Sequence, residues 1–229
     1  MTTYINSSLF IKSFFILMFY LSGAFFSSQL FSNSNPSEKI AIIIPGLKEY
    51  PDKSAYQQIK KAFEQQNYTT YILYINWDEI TLNNLVQKGN QVLDSIISRH
   101  SHADITLFGF SFGAVIALKN AYCLEVKKII LASLSPIFKE DITYHTTLFK
   151  FFIKFNTNYN INNLYYPENI SKPIIFFYGN RDSLLINENI INMRNLKFPG
   201  SKLIIIKNAR HNISGKDYQS AIQNYIKTL

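Results

Sequence analysis

The stretch Ile105-Thr106-Leu107-Phe108-Gly109-Phe110-Ser111-Phe112-Gly113-Ala114 decides the fold. Ile105 to Phe110 is a short, nearly continuous apolar run, as in a strand buried on both faces of a sheet. From Phe112 to Tyr122 the pattern suits a helix, so Ser111 stands at the junction. Turning from strand to helix at one residue imposes strained dihedrals on it and brings the two elements very close. The residues two before and two after must then be small, and Gly109 and Gly113 satisfy that need. Such a turn presents the Ser111 hydroxyl at the carboxyl edge of the sheet. A plainer role is also open, because serine is a preferred helix N-cap.

Outward from this junction, from Lys39 onward, short apolar runs alternate with longer amphipathic ones, the signature of a mostly parallel sheet with helices on both faces. About six strands are expected: Ile40–Ile44, Thr70–Ile75, Ile105–Phe110, Lys128–Ala132, Ile174–Tyr178 and Lys202–Ile206. Helices are expected at Lys53–Gln66, Thr81–Arg99, Phe112–Tyr122, Ser183–Asn195 and Lys216–Lys227. The interval after the fourth strand, residues 133–172, far exceeds the usual connection of ~4–6 residues and reads as an insertion. Its aromatic patch, Phe149, Phe151, Phe152, Ile153 and Phe155, suits either a lid over an apolar site or a helix packed on the core.

The 229 residues suit one α/β domain, and 47% hydrophobic content with 17% charge excludes a disordered chain. A single cysteine, Cys123, excludes an internal disulfide or a cysteine-based zinc cluster. The net charge of +8 raises nucleic acid as a partner, but the lysines are scattered in ones and twos without a recognition motif, so no nucleic acid is expected. The Asn-x-Ser/Thr triplets at Asn6, Asn67, Asn169 and Asn212 follow from an asparagine-rich composition, and no glycosylation is inferred.

Residues 1–37 carry one charge, Lys12, ahead of an apolar run and the pair Ser22-x-Ala24. This is the layout of an export signal cleaved after Ala24. The rival is a retained membrane anchor, since Ser13 to Phe31 reaches the ~17–25 residues that span hydrocarbon. Both readings place residues 38–229 outside the cytoplasm, after the polar linker Ser32–Ser37; the second adds membrane association.

A serine hydroxyl is a weak nucleophile near neutral pH and needs a histidine base oriented by a carboxylate. Asp182 follows the fifth expected strand through Gly179-Asn180-Arg181, and His211 follows the sixth through Lys207-Asn208-Ala209-Arg210. In a parallel sheet the strands' carboxyl ends share an edge, so these loops converge on Ser111. Asp78 and Asp141 compete for the acid's place, and His100, His102 and His145 for the base's. Only His211 follows the last strand. His100-Ser101-His102-Ala103-Asp104 opens like a His-x-His-x-Asp-His metal cluster, but Ile105 stands where its final histidine belongs, and no metal is expected.

With the Gly109–Gly113 elbow, the Gly179–Asp182 turn and His211 before the last helix, residues 39–229 resemble the α/β-hydrolase family, in a small esterase- or thioesterase-like form. The resemblance implies catalytic Ser111, Asp182 and His211, and an oxyanion hole from the backbone amides of Phe112 and Leu47. Pro45 replaces the histidine often found in the family's His-Gly pair, here Pro45-Gly46, but a backbone donor does not depend on that side chain. The expected activity is hydrolysis of an ester or thioester of an apolar acyl group through an acyl-enzyme, with no cofactor. An acyltransferase with the same triad and an inactive binding protein of the same fold are the alternatives.

Overall fold

The computed structural model describes residues 37–78, 82–142, 164–182 and 188–229. Six strands, β1 (Lys39–Ile44), β2 (Thr69–Ile72), β3 (Asp104–Phe110), β4 (Val126–Ala132), β5 (Ile174–Gly179) and β6 (Lys202–Ile206), form one sheet. Its order is β2-β1-β3-β4-β5-β6, and every neighbouring pair is parallel. The chain steps outward from β1 to β2, returns across β1 to β3, and then adds strands steadily to β6. The reversal leaves a crevice between the carboxyl ends of β1 and β3, where open α/β sheets place their ligands. Register aligns those ends: Ile44 sits opposite Gly109, Gly109 opposite Leu131, and Gly179 opposite Ile206.

Helices α1 (Ser54–Glu64), α2 (Leu82–Ile97), α3 (Phe112–Lys119) and α4 (Glu188–Lys197) lie between strands and α5 (Lys216–Ile226) follows β6, with single helical turns at Ser98–His100 and Lys139–Ile142. Because successive strand side chains point to opposite faces, the runs of β1, β3, β4 and β5 feed two separate cores. Ala41, Ile43, Phe108, Ile130 and Phe177 pack with Tyr56, Ile59 and Phe63 of α1 and Tyr218, Ile222 and Ile226 of α5. Ile40, Ile42, Leu107, Ile129 and Phe176 pack with α2 and α3. α3 is apolar all round, and Phe112 through Leu118 are all buried, as suits a short helix enclosed by protein.

Most expected boundaries agree with these elements to within a few residues. β2 ends early, at Ile72, although Leu73 and Ile75 are as buried as any strand residue. The Leu73 N–H still donates to the Ile43 carbonyl at 2.8 Å. Beyond it the neighbouring strand runs into Pro45, which has no N–H to give. Leu73, Ile75 and Trp77 then alternate inward as extended chain. α3 stops at Lys119 rather than Tyr122: Asn120 Nδ2 donates back to the Ile116 carbonyl and to Asn90 Oδ1, both at 2.8 Å.

The N-terminal segment, the Phe149–Phe155 patch, His145 and the start of the expected Ser183–Asn195 helix lie outside the described residues. Among those described, no helix is long and apolar enough to cross a membrane.

The approach of α3 to β1 leaves no room for a side chain at its second residue. A Cβ on Gly113 would lie 2.1 Å from the Ile44 carbonyl oxygen and 2.4 Å from that of Pro45, whereas one on Gly200, where φ is +85°, would meet nothing within 4 Å. Gly113→Ala is therefore expected to cost several kcal/mol, roughly 4 or more, and Gly200→Ala only about 1. Urea unfolding followed by circular dichroism compares them, and equal midpoints would contradict the packing described.

Candidate active site

Ser111 has φ 53° and ψ −115°, a strained conformation for a residue with a side chain. The surroundings impose it. Its N–H donates to the Ala132 carbonyl at 2.9 Å, and its carbonyl accepts from the amides of Ala114 at 3.2 Å and Ser135 at 3.3 Å. A Cβ on Gly109 would stand 2.5 Å from both Ala114 Cα and the Gly113 carbonyl oxygen, so glycine there is a condition of the turn. The N-cap role falls away, because the Ser111 side chain makes no capping hydrogen bond. Its Oγ lies 2.8 Å from His211 Nε2 instead.

The other face of that imidazole meets Asp182, with Nδ1 at 3.0 and 3.1 Å from the two carboxylate oxygens. Two loops laced to each other make this meeting. The Asn180 amide donates to the Ile206 carbonyl, the Arg181 amide to that of Ala209, and the Asn208 amide to Asn180 Oδ1. A Cβ on Gly179 would be 2.3 Å from the Ala209 carbonyl oxygen, so the loops after β5 and β6 touch through their backbones. The Asp182 side chain is 1% exposed and His211 29%. Phe110 packs on the imidazole with ring centroids 5.1 Å apart.

Asp182 has a second donor. Ser133 Oγ donates to Oδ2 at 2.6 Å and is itself hydrogen-bonded to the Tyr218 hydroxyl, which accepts the Gly179 N–H at 2.9 Å. Burial raises the Tyr218 phenol well above its ordinary range, keeping the O–H in place as a donor. Since both groups facing Nδ1 are carboxylate oxygens, that nitrogen carries the hydrogen, and in the neutral ring Nε2 is left to accept from Ser111.

The loop after β1 lies against Ser111: a Cβ on Gly46 would be 3.4 Å from Ser111 Cβ. The Gly46 amide donates to the Tyr56 hydroxyl at 2.9 Å, that hydroxyl donates to the Glu49 carboxylate, and Trp77 Nε1 donates to the Glu49 carbonyl at 2.7 Å. With Gly46 engaged, Leu47 offers the next amide of this loop. Phe112 is the first residue of α3, so its N–H has no acceptor within the helix.

The described competing residues lie elsewhere. Asp141 is fully buried against Arg194, 2.9 Å from Nη2. Asp78 is exposed, its amide held by Asn76 Oδ1. His100 contacts Tyr71 and Glu38, and His102 lies in the turn leading into β3, at the sheet's amino edge. Sequence reasoning missed Ser133 and Ser135, although both follow the carboxyl end of β4, the position that singled out Asp182 and His211. It also missed Arg194, which nothing in a helix rich in polar residues marked as buried.

No family model matches the chain, and neither does any curated protein. Solved structures do. An alpha-beta serine hydrolase homologue from Coxiella burnetii is 18% identical, with 85% of this chain and 88% of that one covered at a TM-score of 0.60. The esterase domain of a Rhodothermus marinus protein is 14% identical over 86% and 88%, at 0.59. Alpha/beta hydrolase domain-containing protein 10 from mouse is 12% identical over 85% and 89%, at 0.67. The chain thus has the α/β-hydrolase fold.

Burial likewise raises the phenol of Tyr178, which accepts from Arg194 Nη1 at 2.6 Å. A phenol whose pKa is raised on folding contributes stability that is complete below its unfolded value of about 10 and is lost as pH rises toward the folded value. The urea midpoint should therefore hold steady from pH 7 to 9 and fall above about pH 10, with a shallower fall in Tyr178→Phe and Tyr218→Phe. Unchanged slopes in both variants would refute the assignment.

Proposed function

We propose that this chain is a serine hydrolase that cleaves carboxylic ester or thioester bonds through an acyl-enzyme. The observation that carries the reading is the continuous line from Asp182 through His211 to the Ser111 hydroxyl, set at the carboxyl edge of the sheet. Neighbours of the same fold that include a serine hydrolase homologue and an esterase domain support it.

Ser111 Oγ attacks the acyl carbonyl carbon as its proton passes to His211 Nε2, and the carbonyl π pair moves to oxygen. The amides of Phe112 and Leu47 receive that oxyanion, and Asp182 stabilises the imidazolium from the opposite side. Collapse re-forms the carbonyl and breaks the bond to the leaving alcohol or thiol, which takes the proton from Nε2. Water then repeats the sequence, with His211 as base, and releases the acid. An apolar acyl group fits the exposed Leu47 and Tyr50 in the loop beside Ser111, with Tyr74 6.2 Å from Tyr50 between ring centroids. Residues 1–37 complete the proposal as an export signal or anchor that carries the domain out of the cytoplasm.

A fluorophosphonate should label Ser111 and abolish turnover of short acyl esters. Ser111→Ala should lose the label and at least about 10⁴ in kcat, and Asp182→Asn should lose roughly 10⁴ by favouring the wrong imidazole tautomer. A folded wild-type chain that neither labels nor turns over these esters would overturn the reading.

A further inference from the structure

One group beside Ser111 has no part in that mechanism. Ser135 Oγ lies 3.1 Å from Ser111 Oγ, so the nucleophile's oxygen sits between two partners, His211 on one side and a second serine on the other. The proton inventory assigns the direction. Nδ1 of His211 carries its hydrogen toward Asp182, Nε2 accepts the Ser111 proton, and Ser111 Oγ has only lone pairs left to offer; Ser135 is therefore the donor.

Ser135 is held there. Its residue is 9% exposed, and its own N–H donates to the Ser111 carbonyl at 3.3 Å. Arg194, 1% exposed, donates from Nη1 to the Leu134 carbonyl at 3.1 Å and from Nη2 to the Ser135 carbonyl at 3.4 Å. The remaining donors of the guanidinium reach Asp141, Tyr166 and Tyr178. Tyr166 donates to Asp141 at 2.6 Å, so the carboxylate is held from two sides. A buried cation with its whole donor fork engaged fixes the loop after β4 in one place, and Ser135 with it.

We infer that Ser135 is a positioning residue for the nucleophile: its O–H holds Ser111 Oγ in the single rotamer that points the Ser111 proton at His211 Nε2. The inference rests on the proposed role of Ser111 and makes a claim specific to one half of the reaction. In the free enzyme the Ser111 side chain can turn about its Cα–Cβ bond, and a misdirected oxygen lowers the fraction of molecules ready to attack. In the acyl-enzyme the same oxygen is esterified, so there is no free hydroxyl to aim, and His211 takes its proton from water instead. Loss of the Ser135 hydroxyl should slow acylation and leave deacylation untouched.

The experiment compares wild type with Ser135→Ala and Ser135→Thr in the full chain. For Ser135→Ala the second-order rate of fluorophosphonate labelling should fall roughly five- to tenfold, the size of one modest hydrogen bond. Deacylation of a pre-formed acyl-enzyme should stay within about twofold of wild type, and the melting temperature should be unchanged. Ser135→Thr should recover most of the labelling rate. A crystal structure of Ser135→Ala reads the inference without turnover, and Ser111 should occupy a second rotamer away from His211. Labelling at the wild-type rate, both steps slowed together, or Ser111 unmoved beside His211 at full occupancy would each overturn it. A wild-type chain that never labels would sink the hydrolase reading, while the crystallographic comparison would still decide the role of Ser135.

Discussion

The site depends on a steric fact about α3: it begins so close to the carboxyl ends of β1 and β3 that no side chain fits at Gly109 or Gly113. Contact at that distance does two things at once. It bends the backbone at Ser111 into a conformation that only surrounding structure can sustain, and it presses the first turn of the helix against the carbonyls of Ile44 and Pro45. The loop beginning at Pro45 is thereby set beside Ser111, and the Tyr56 and Trp77 contacts fix its path onward to Glu49. The strained turn at Ser111 and the place of the candidate oxyanion donors are thus consequences of one packing contact.

A second constraint acts from the other side. Arg194 and Asp141 are both buried, an arrangement whose desolvation cost offsets much of its attraction and which is weak evidence of stability. Burial alone would pull the guanidinium pKa down, but Tyr166, Tyr178 and Asp141 outweigh it and hold the residue charged, well above its ordinary value. What such a cluster supplies is direction. It ties Leu134 and Ser135, just after β4, to α4, to β5 through Tyr178 and to Tyr166. An apolar cluster of equal volume could fill the space without telling two backbone carbonyls where to stop.

Much of this was legible in the amino-acid sequence, for reasons particular to a parallel sheet. Strands buried on both faces write themselves as Ile- and Phe-rich runs, and parallel pairing puts their carboxyl ends on one edge, so Ser111, Asp182 and His211 could be read from their place after a strand. Ser133 and Ser135 obey the same rule and were missed because serine in a loop has no distinguishing chemistry until its neighbours are known. Arg194 was illegible for a deeper reason. Its partners Asp141, Tyr166 and Tyr178 come from three other segments, and a helix with Asn189, Asn192, Arg194 and Asn195 shows no periodic sign of which polar residue turns inward. The early end of β2 was hidden similarly, because Leu73 and Ile75 are buried whether or not they have ladder partners.

The last helix shows why core and site cannot be separated in this chain. Tyr218 belongs to α5, whose apolar face packs on the sheet with Ile222 and Ile226, and its ring meets Phe110 edge-on at 6.2 Å. Phe110 in turn lies under the His211 ring, and the Tyr218 hydroxyl is bonded to Ser133 and to the Gly179 amide. The residue that completes one hydrophobic core therefore also orders the donors around Asp182. Docking of α5 late in the chain sets the Tyr218 hydroxyl against Ser133, the second donor to the Asp182 carboxylate that His211 meets. A helix that looks purely structural in its sequence pattern is, through one phenol, part of the machinery that aims the imidazole at Ser111.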